Sequence, residues 1–76
     1  MKISYDDSVD AAYINLNDEF SPTLVDYTYC CDPNLVDGQI HLDFDNDGRL
    51  VGIEILQASK KLHSSLLTKN NDSRLD

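Results

Sequence analysis

The sequence predicts an α+β fold: a small antiparallel β-meander of about four to five strands, with one C-terminal helix packed on the sheet. Three observations predict it. Residues 40–56 alternate with period two on both sides of Asp47-Gly48, as two half-buried strands in a β-hairpin do. Two β-prone stretches, 11–17 and 23–31, lie upstream, set off by residues that favour turns. Past Leu56 the apolar spacing lengthens to four, the pitch of a helix. The chain has 76 residues, 41% of them hydrophobic, which fits one small domain over 1–67. Residues 68–76 are polar and patternless and read as a disordered tail.

Lys2-Ile3-Ser4-Tyr5 forms the first strand. Asp6-Asp7-Ser8-Val9-Asp10 follows as a polar turn, in which Asp6 and Asp10 cap the backbone. The second strand, 11–17, sets Ala12, Ile14 and Leu16 on one face. A loop at 18–22 leads to the third strand, 23–31, with Val25, Tyr27 and Tyr29 on one side. Asp32-Pro33-Asn34 breaks that strand, and Asp37-Gly38 leads into the hairpin. After it, Ala58, Leu62 and Leu66 mark a short helix that starts near Ser59.

The hairpin decides most of the functional reading. Asp43 to Glu54 matches the calcium-loop pattern D-x-[DN]-x-[DN]-G-x5-E at every specified position. A calcium loop of that kind joins two helices, whereas these flanks alternate as strands. A two-residue turn at Asp47-Gly48 pairs Asn46 with Arg49, Phe44 with Val51, Leu42 with Ile53 and Ile40 with Ile55, all on one face. The other face then carries His41 opposite Glu54, Asp43 opposite Gly52 and Asp45 opposite Leu50. A solvated acidic face is the plain reading of these carboxylates.

Charge is the second guide. The net value is −8, and residues 1–57 hold twelve acids and two bases, against two acids and four bases in 58–76. Direct nucleic-acid binding through the β body is disfavoured, because phosphate contacts need clustered Lys and Arg. A basic protein is the natural partner of such a surface. Cys30 and Cys31 are strand neighbours that point to opposite faces, so they cannot bridge each other, and free thiols fit a reducing compartment. No apolar run reaches membrane-spanning length and no leader pattern is visible, so the expected location is cytoplasmic, with no membrane contact.

Ile3-Ser4-Tyr5-Asp6, Asp10-Ala11-Ala12-Tyr13-Ile14, the run from Leu42 to Leu56, and Ala58-Ser59-Lys60 together resemble a small bacterial family catalogued as domain of unknown function 2283. The resemblance covers about residues 2–62. It implies a compact antiparallel sheet with a C-terminal helix and no established catalysis. It also implies antitoxin-like partners in toxin–antitoxin pairs and occurrence on mobile elements. No catalytic residue is carried over.

The expected function is therefore a non-enzymatic, acidic protein-binding module, antitoxin-like or an inhibitor of a basic nucleic-acid-binding or defence protein. Its expected contact residues are His41, Asp43, Asp45 and Glu54, and no cofactor is expected. One alternative is a calcium-binding or ion-stabilised domain, with Asp43, Asp45, Asp47 and Glu54 as oxygen ligands. Another is an operon autoregulator that contacts DNA through Lys60, Lys61, Lys69 and Arg74. A homodimer through a free sheet edge, formed by the strand of Tyr27 and Tyr29, is also expected.

Overall fold

The computed structural model describes residues 1–17 and 24–67. Five strands form one sheet: β1 (Lys2–Asp6), β2 (Ala11–Asn15), β3 (Tyr27–Cys30), β4 (Ile40–Phe44) and β5 (Leu50–Leu56). Their order across the sheet is β1-β2-β5-β4-β3, and every pair is antiparallel. The β1–β2 hairpin and the β3–β4–β5 run are each meander-like. They are joined through β2 and β5, so the chain leaves β2 and begins β3 at the far edge. That crossing is the departure from a simple meander. The third strand is shorter than expected, since Leu24 to Asp26 lie outside it and Thr23 falls outside the described residues.

Alternation assigns the two faces. Ile3 pairs with Ile14, Ile14 with Ile53, Ala12 with Ile55, Ile55 with Ile40, and Ile53 with Leu42. Tyr27 and Tyr29 continue this face beyond Phe44 and Leu42. The core cluster of Ala12, Ile55 and Ala58 lies on it, with Tyr5, Ile14, Ile40, Ile53, Leu62 and Leu67 packed around. Burying one such isoleucine contributes roughly 2 kcal/mol. Among the described residues no large side chain is fully buried, so the core is thin.

The tip of the β4–β5 hairpin differs from the expected two-residue turn. Asp45 N–H donates to the Arg49 carbonyl at 2.9 Å, and Gly48 N–H donates to the Asp45 carbonyl at 3.1 Å. Asn46, Asp47 and Gly48 therefore form a three-residue loop, and Gly48 takes the positive φ (82°) such a loop needs. Phe44 pairs with Leu50 rather than Val51, while Asp43 still pairs with Gly52. A β-bulge between them absorbs the one-residue shift, so the apolar pairs from Leu42–Ile53 downward keep their faces. Asn46–Arg49, Phe44–Val51 and Asp45–Leu50 are not pairs.

Asp45 organises this loop. Its side chain is 5% exposed, and Oδ1 accepts from the N–H groups of Asp47 and Arg49, each at 2.9 Å. Asp45→Ala removes both acceptor contacts and leaves two loop N–H groups without that partner. It is expected to lower stability by about 2 kcal/mol in a denaturant titration, with Asp45→Asn closer to wild type because it keeps one acceptor oxygen.

Small helices fill the connections. Asp32-Pro33-Asn34 does end the third strand, but it also starts α1 (Pro33–Val36). Asp32 accepts from Asn34 N–H as N-cap, and proline stands in the first turn, where its missing N–H costs nothing. At the C-terminus the single helix is not seen. Instead α2 (Ala58–Lys61) is one turn, Leu62 and His63 are extended, and a 3-10 turn follows at Ser64–Leu66. Leu62 and Leu67 reach the core from this segment, while Leu66 is not part of that cluster. The expected tail, 68–76, lies outside the described residues. No helix among the described residues is long and apolar enough to cross a membrane.

Candidate functional site: the polar face of the sheet

The sheet face away from the core carries the polar side chains of the strands. His41 and Glu54 are directly paired, and His41 Nδ1 lies 2.9 Å from Glu54 Oε1. Asp43 sits opposite Gly52 on the same face. A cross-strand pair of this kind is worth about 0.2–1 kcal/mol.

Asp43 is held from two sides. Tyr13 Oη donates to Oδ2 at 2.7 Å, and Thr28 Oγ1 donates to Oδ1 at 2.6 Å. These contacts link β2, β4 and β3. The tyrosine reaches Asp43 by lying over Gly52, where a β-carbon would overlap its hydroxyl and ring. Burial, and then the hydrogen bond to Asp43, push the Tyr13 phenol up to about 12. Tyr13 and Thr28 were not among the expected site residues. Period-two alternation places both on this face, but their partner depends on which strands are neighbours.

The four expected contact residues therefore separate. His41, Asp43 and Glu54 share the polar face, as their alternation requires. Asp45 is buried in the loop, where its carboxylate caps local N–H groups, and it is not part of that surface. The calcium alternative grouped Asp43, Asp45, Asp47 and Glu54. Their flanks are strands, and no group of three or more His, Cys, Asp or Glu placed to hold a metal occurs among the described residues. Of the four bases assigned to DNA contact, Lys60 is exposed and Lys61 donates to the Val36 carbonyl at 2.6 Å. Lys69 and Arg74 lie outside the described residues. Cys30 is exposed, Cys31 is half-buried, and both are free thiols.

A second polar cluster ties the β1–β2 turn to α2. Asp10 takes a left-handed backbone (φ 53°), which Asp tolerates better than most residues. Its carbonyl accepts from Ala58 N–H at 2.9 Å. Its carboxylate accepts from Ser59 N–H at 3.0 Å, Ser59 Oγ at 2.7 Å and Tyr5 Oη at 2.7 Å. Asp10 thus caps α2 from 49 residues away. The Ser59 hydroxyl, followed by that of Tyr5, holds the Asp10 carboxyl below the usual carboxylate range. Asp6 does cap the first turn, accepting from Ser8 N–H and Oγ.

A shallow hollow of about 290 Å³ opens between these clusters, lined in part by Ser4, Asp6, Ala11, Tyr13 and Glu54. Its floor is small and apolar at Ala11, and carboxylates stand at its margin. No curated protein and no solved structure matches the chain. The family model for a protein of unknown function, DUF2283, matches residues 2–59, which takes in all five strands and the Asp10–Ser59 contact. The chain belongs to that family.

Proposed function

We propose that this protein is a non-enzymatic binding module, antitoxin-like or inhibitory, that docks a basic protein against the polar face of its sheet. The observation that supports this most is the hollow lined by Asp6, Ala11, Tyr13 and Glu54. A lysine or arginine stem fits an apolar floor, and its cationic head meets carboxylates at the margin. The Ser8 hydroxyl holds the Asp6 carboxyl below its ordinary value, so Asp6 is charged near neutrality. The side chain of Glu54 is 45% exposed, so it has room for a second partner beside His41. Twelve of the fourteen acids fall within residues 1–57, and this excess speeds encounter with a basic surface.

Charge reversal tests this reading, but not at Asp43 or Asp45, whose carboxylates hold the fold together. Glu54→Lys is expected to slow association with the basic partner about tenfold and to weaken its dependence on salt. Glu54→Gln is expected to do about half as much on a logarithmic scale. Surface-resonance kinetics at two salt concentrations measure both. An association rate that Glu54→Lys leaves unchanged moves the interface off this face.

A further inference from the structure

One row of side chains crosses the polar face from β3 to β5. Cys30 pairs with His41, and His41 pairs with Glu54. Thr28 stands two residues before Cys30 on β3, and its hydroxyl donates to Asp43 on this face, so alternation places the Cys30 thiol there too. Cys31 N–H donates to the Ile40 carbonyl, which puts Cys31–Ile40 at a hydrogen-bonded position and Cys30–His41 at the closer, non-hydrogen-bonded one. Side chains paired in this way have β-carbons about 4.5–5.5 Å apart. Glu54 Oε1, 2.9 Å from Nδ1, holds the imidazole, and the second ring nitrogen, Nε2, faces away from it. Among the described residues no hydrogen bond occupies Nε2 or the Cys30 sulfur, and Cys30 is exposed. A nucleophile, a base and a group that orients the base thus stand in order, the arrangement that activates a thiol. Such pairs are often loose at rest and close as the reagent arrives.

We infer that Cys30 is a thiol-modification site, assisted by His41 and selective for small cationic disulfides. The Cys30 thiol gives its proton to Nε2 of His41 as its sulfur attacks one sulfur of the disulfide. A new S–S bond forms to Cys30, the reagent's S–S bond breaks, and the departing sulfur takes the proton back from Nε2. The products are a mixed disulfide on Cys30 and one small thiol, with no further oxidant. Glu54 positions the ring and touches neither sulfur. The preference for cations follows from the carboxylates of Asp43 and Glu54 on the same face and from the net −8 of the chain. Cys31, next in sequence, is half-buried and faces the other side of the sheet, so it serves as a reference thiol. The reaction needs no docked protein, so it is independent of what the polar face binds.

Cystamine is the probe, and intact-mass spectrometry follows mixed-disulfide formation at pH 7. Cys31→Ser leaves Cys30 as the one thiol, and Cys30→Ser leaves Cys31. Adding His41→Gln, checked for folding by circular dichroism, is expected to slow Cys30 about tenfold, a small part of what a positioned base supplies in a closed site. The Cys31 rate is expected to stay as it was, and added imidazole is expected to restore part of the Cys30 rate. An unchanged Cys30 rate in the folded variant overturns the inference, as does an equal slowing of both thiols. Should His41→Gln not fold, Glu54→Gln decides: it is expected to slow Cys30 about threefold and leave Cys31 alone, and an unchanged ratio of the two rates overturns the inference. Relative to a free small thiol, Cys30 is expected to favour cystamine over anionic oxidised glutathione about threefold at low salt. No such preference overturns the cationic class.

Discussion

Gly52→Ala is expected to cost about 3 kcal/mol, a large share of the stability of a chain of this size. The reason is local. Gly52 is buried in β5, and its α-carbon is roofed by the Tyr13 ring on the way to Asp43. An added β-carbon would collide with the hydroxyl, its ring carbon and the neighbouring edge atom. To escape, Tyr13 must leave Asp43, which loses a hydrogen bond beside a strand pairing. Thermal melts of Gly52→Ala, of Tyr13→Ala and of the double variant check this. In the Tyr13→Ala background, adding Gly52→Ala is expected to cost at least about 1.5 kcal/mol less than it does in the wild type, because removing the ring removes the collision. An equal cost in both backgrounds would mean that Gly52 serves the backbone and not Tyr13.

Asp10→Ala is the second large effect, with an expected fall in melting temperature of about 5–10 °C. The substitution takes away acceptors for Ser59 N–H, Ser59 Oγ and Tyr5 Oη together, and places alanine in a left-handed backbone. It frees α2 from the turn between β1 and β2, and with it the segment that carries Leu62 and Leu67 over the core. The contact also sets a pH dependence. Asp10 has a depressed carboxyl in the folded chain, with the Ser59 hydroxyl as the main cause. Its stabilisation is therefore present above the ordinary carboxylate value near pH 4 and is lost as pH falls through the depressed value. Asp10→Asn is expected to flatten that part of the acid unfolding curve while lowering the melting temperature less than alanine does. An acid limb identical to wild type would remove Asp10 from the account.

Much of this was legible in the residues. Alternation across 40–56 identifies β4, β5 and the partners Ile40–Ile55, His41–Glu54, Leu42–Ile53 and Asp43–Gly52, because only one register keeps the apolar residues on one side. The tip was less legible. A three-residue loop and a bulge give the same downstream register as a two-residue turn, so the pattern does not distinguish them. The choice falls to Asp45, whose carboxylate bonds the loop from inside, and a carboxylate that caps a turn reads in sequence like one that faces solvent. The C-terminal spacing of Ala58, Leu62 and Leu66 implied one helix. The extended backbone at Leu62 interrupts it and brings Leu67, not Leu66, to the core. Long-range partners were the least legible. Asp10 with Ser59, and Tyr13 with Asp43, depend on β2 lying beside β5, and no local pattern specifies that neighbour.

Affinity capture from host lysate tests the proposed docking of a basic protein on the polar face. Tagged wild type and Glu54→Lys are compared at low and high salt, with mass spectrometry of what each retains. One basic protein held by wild type at low salt, released at high salt and lost from Glu54→Lys is the expected result. Retention of the same protein by both, indifferent to salt, would contradict it.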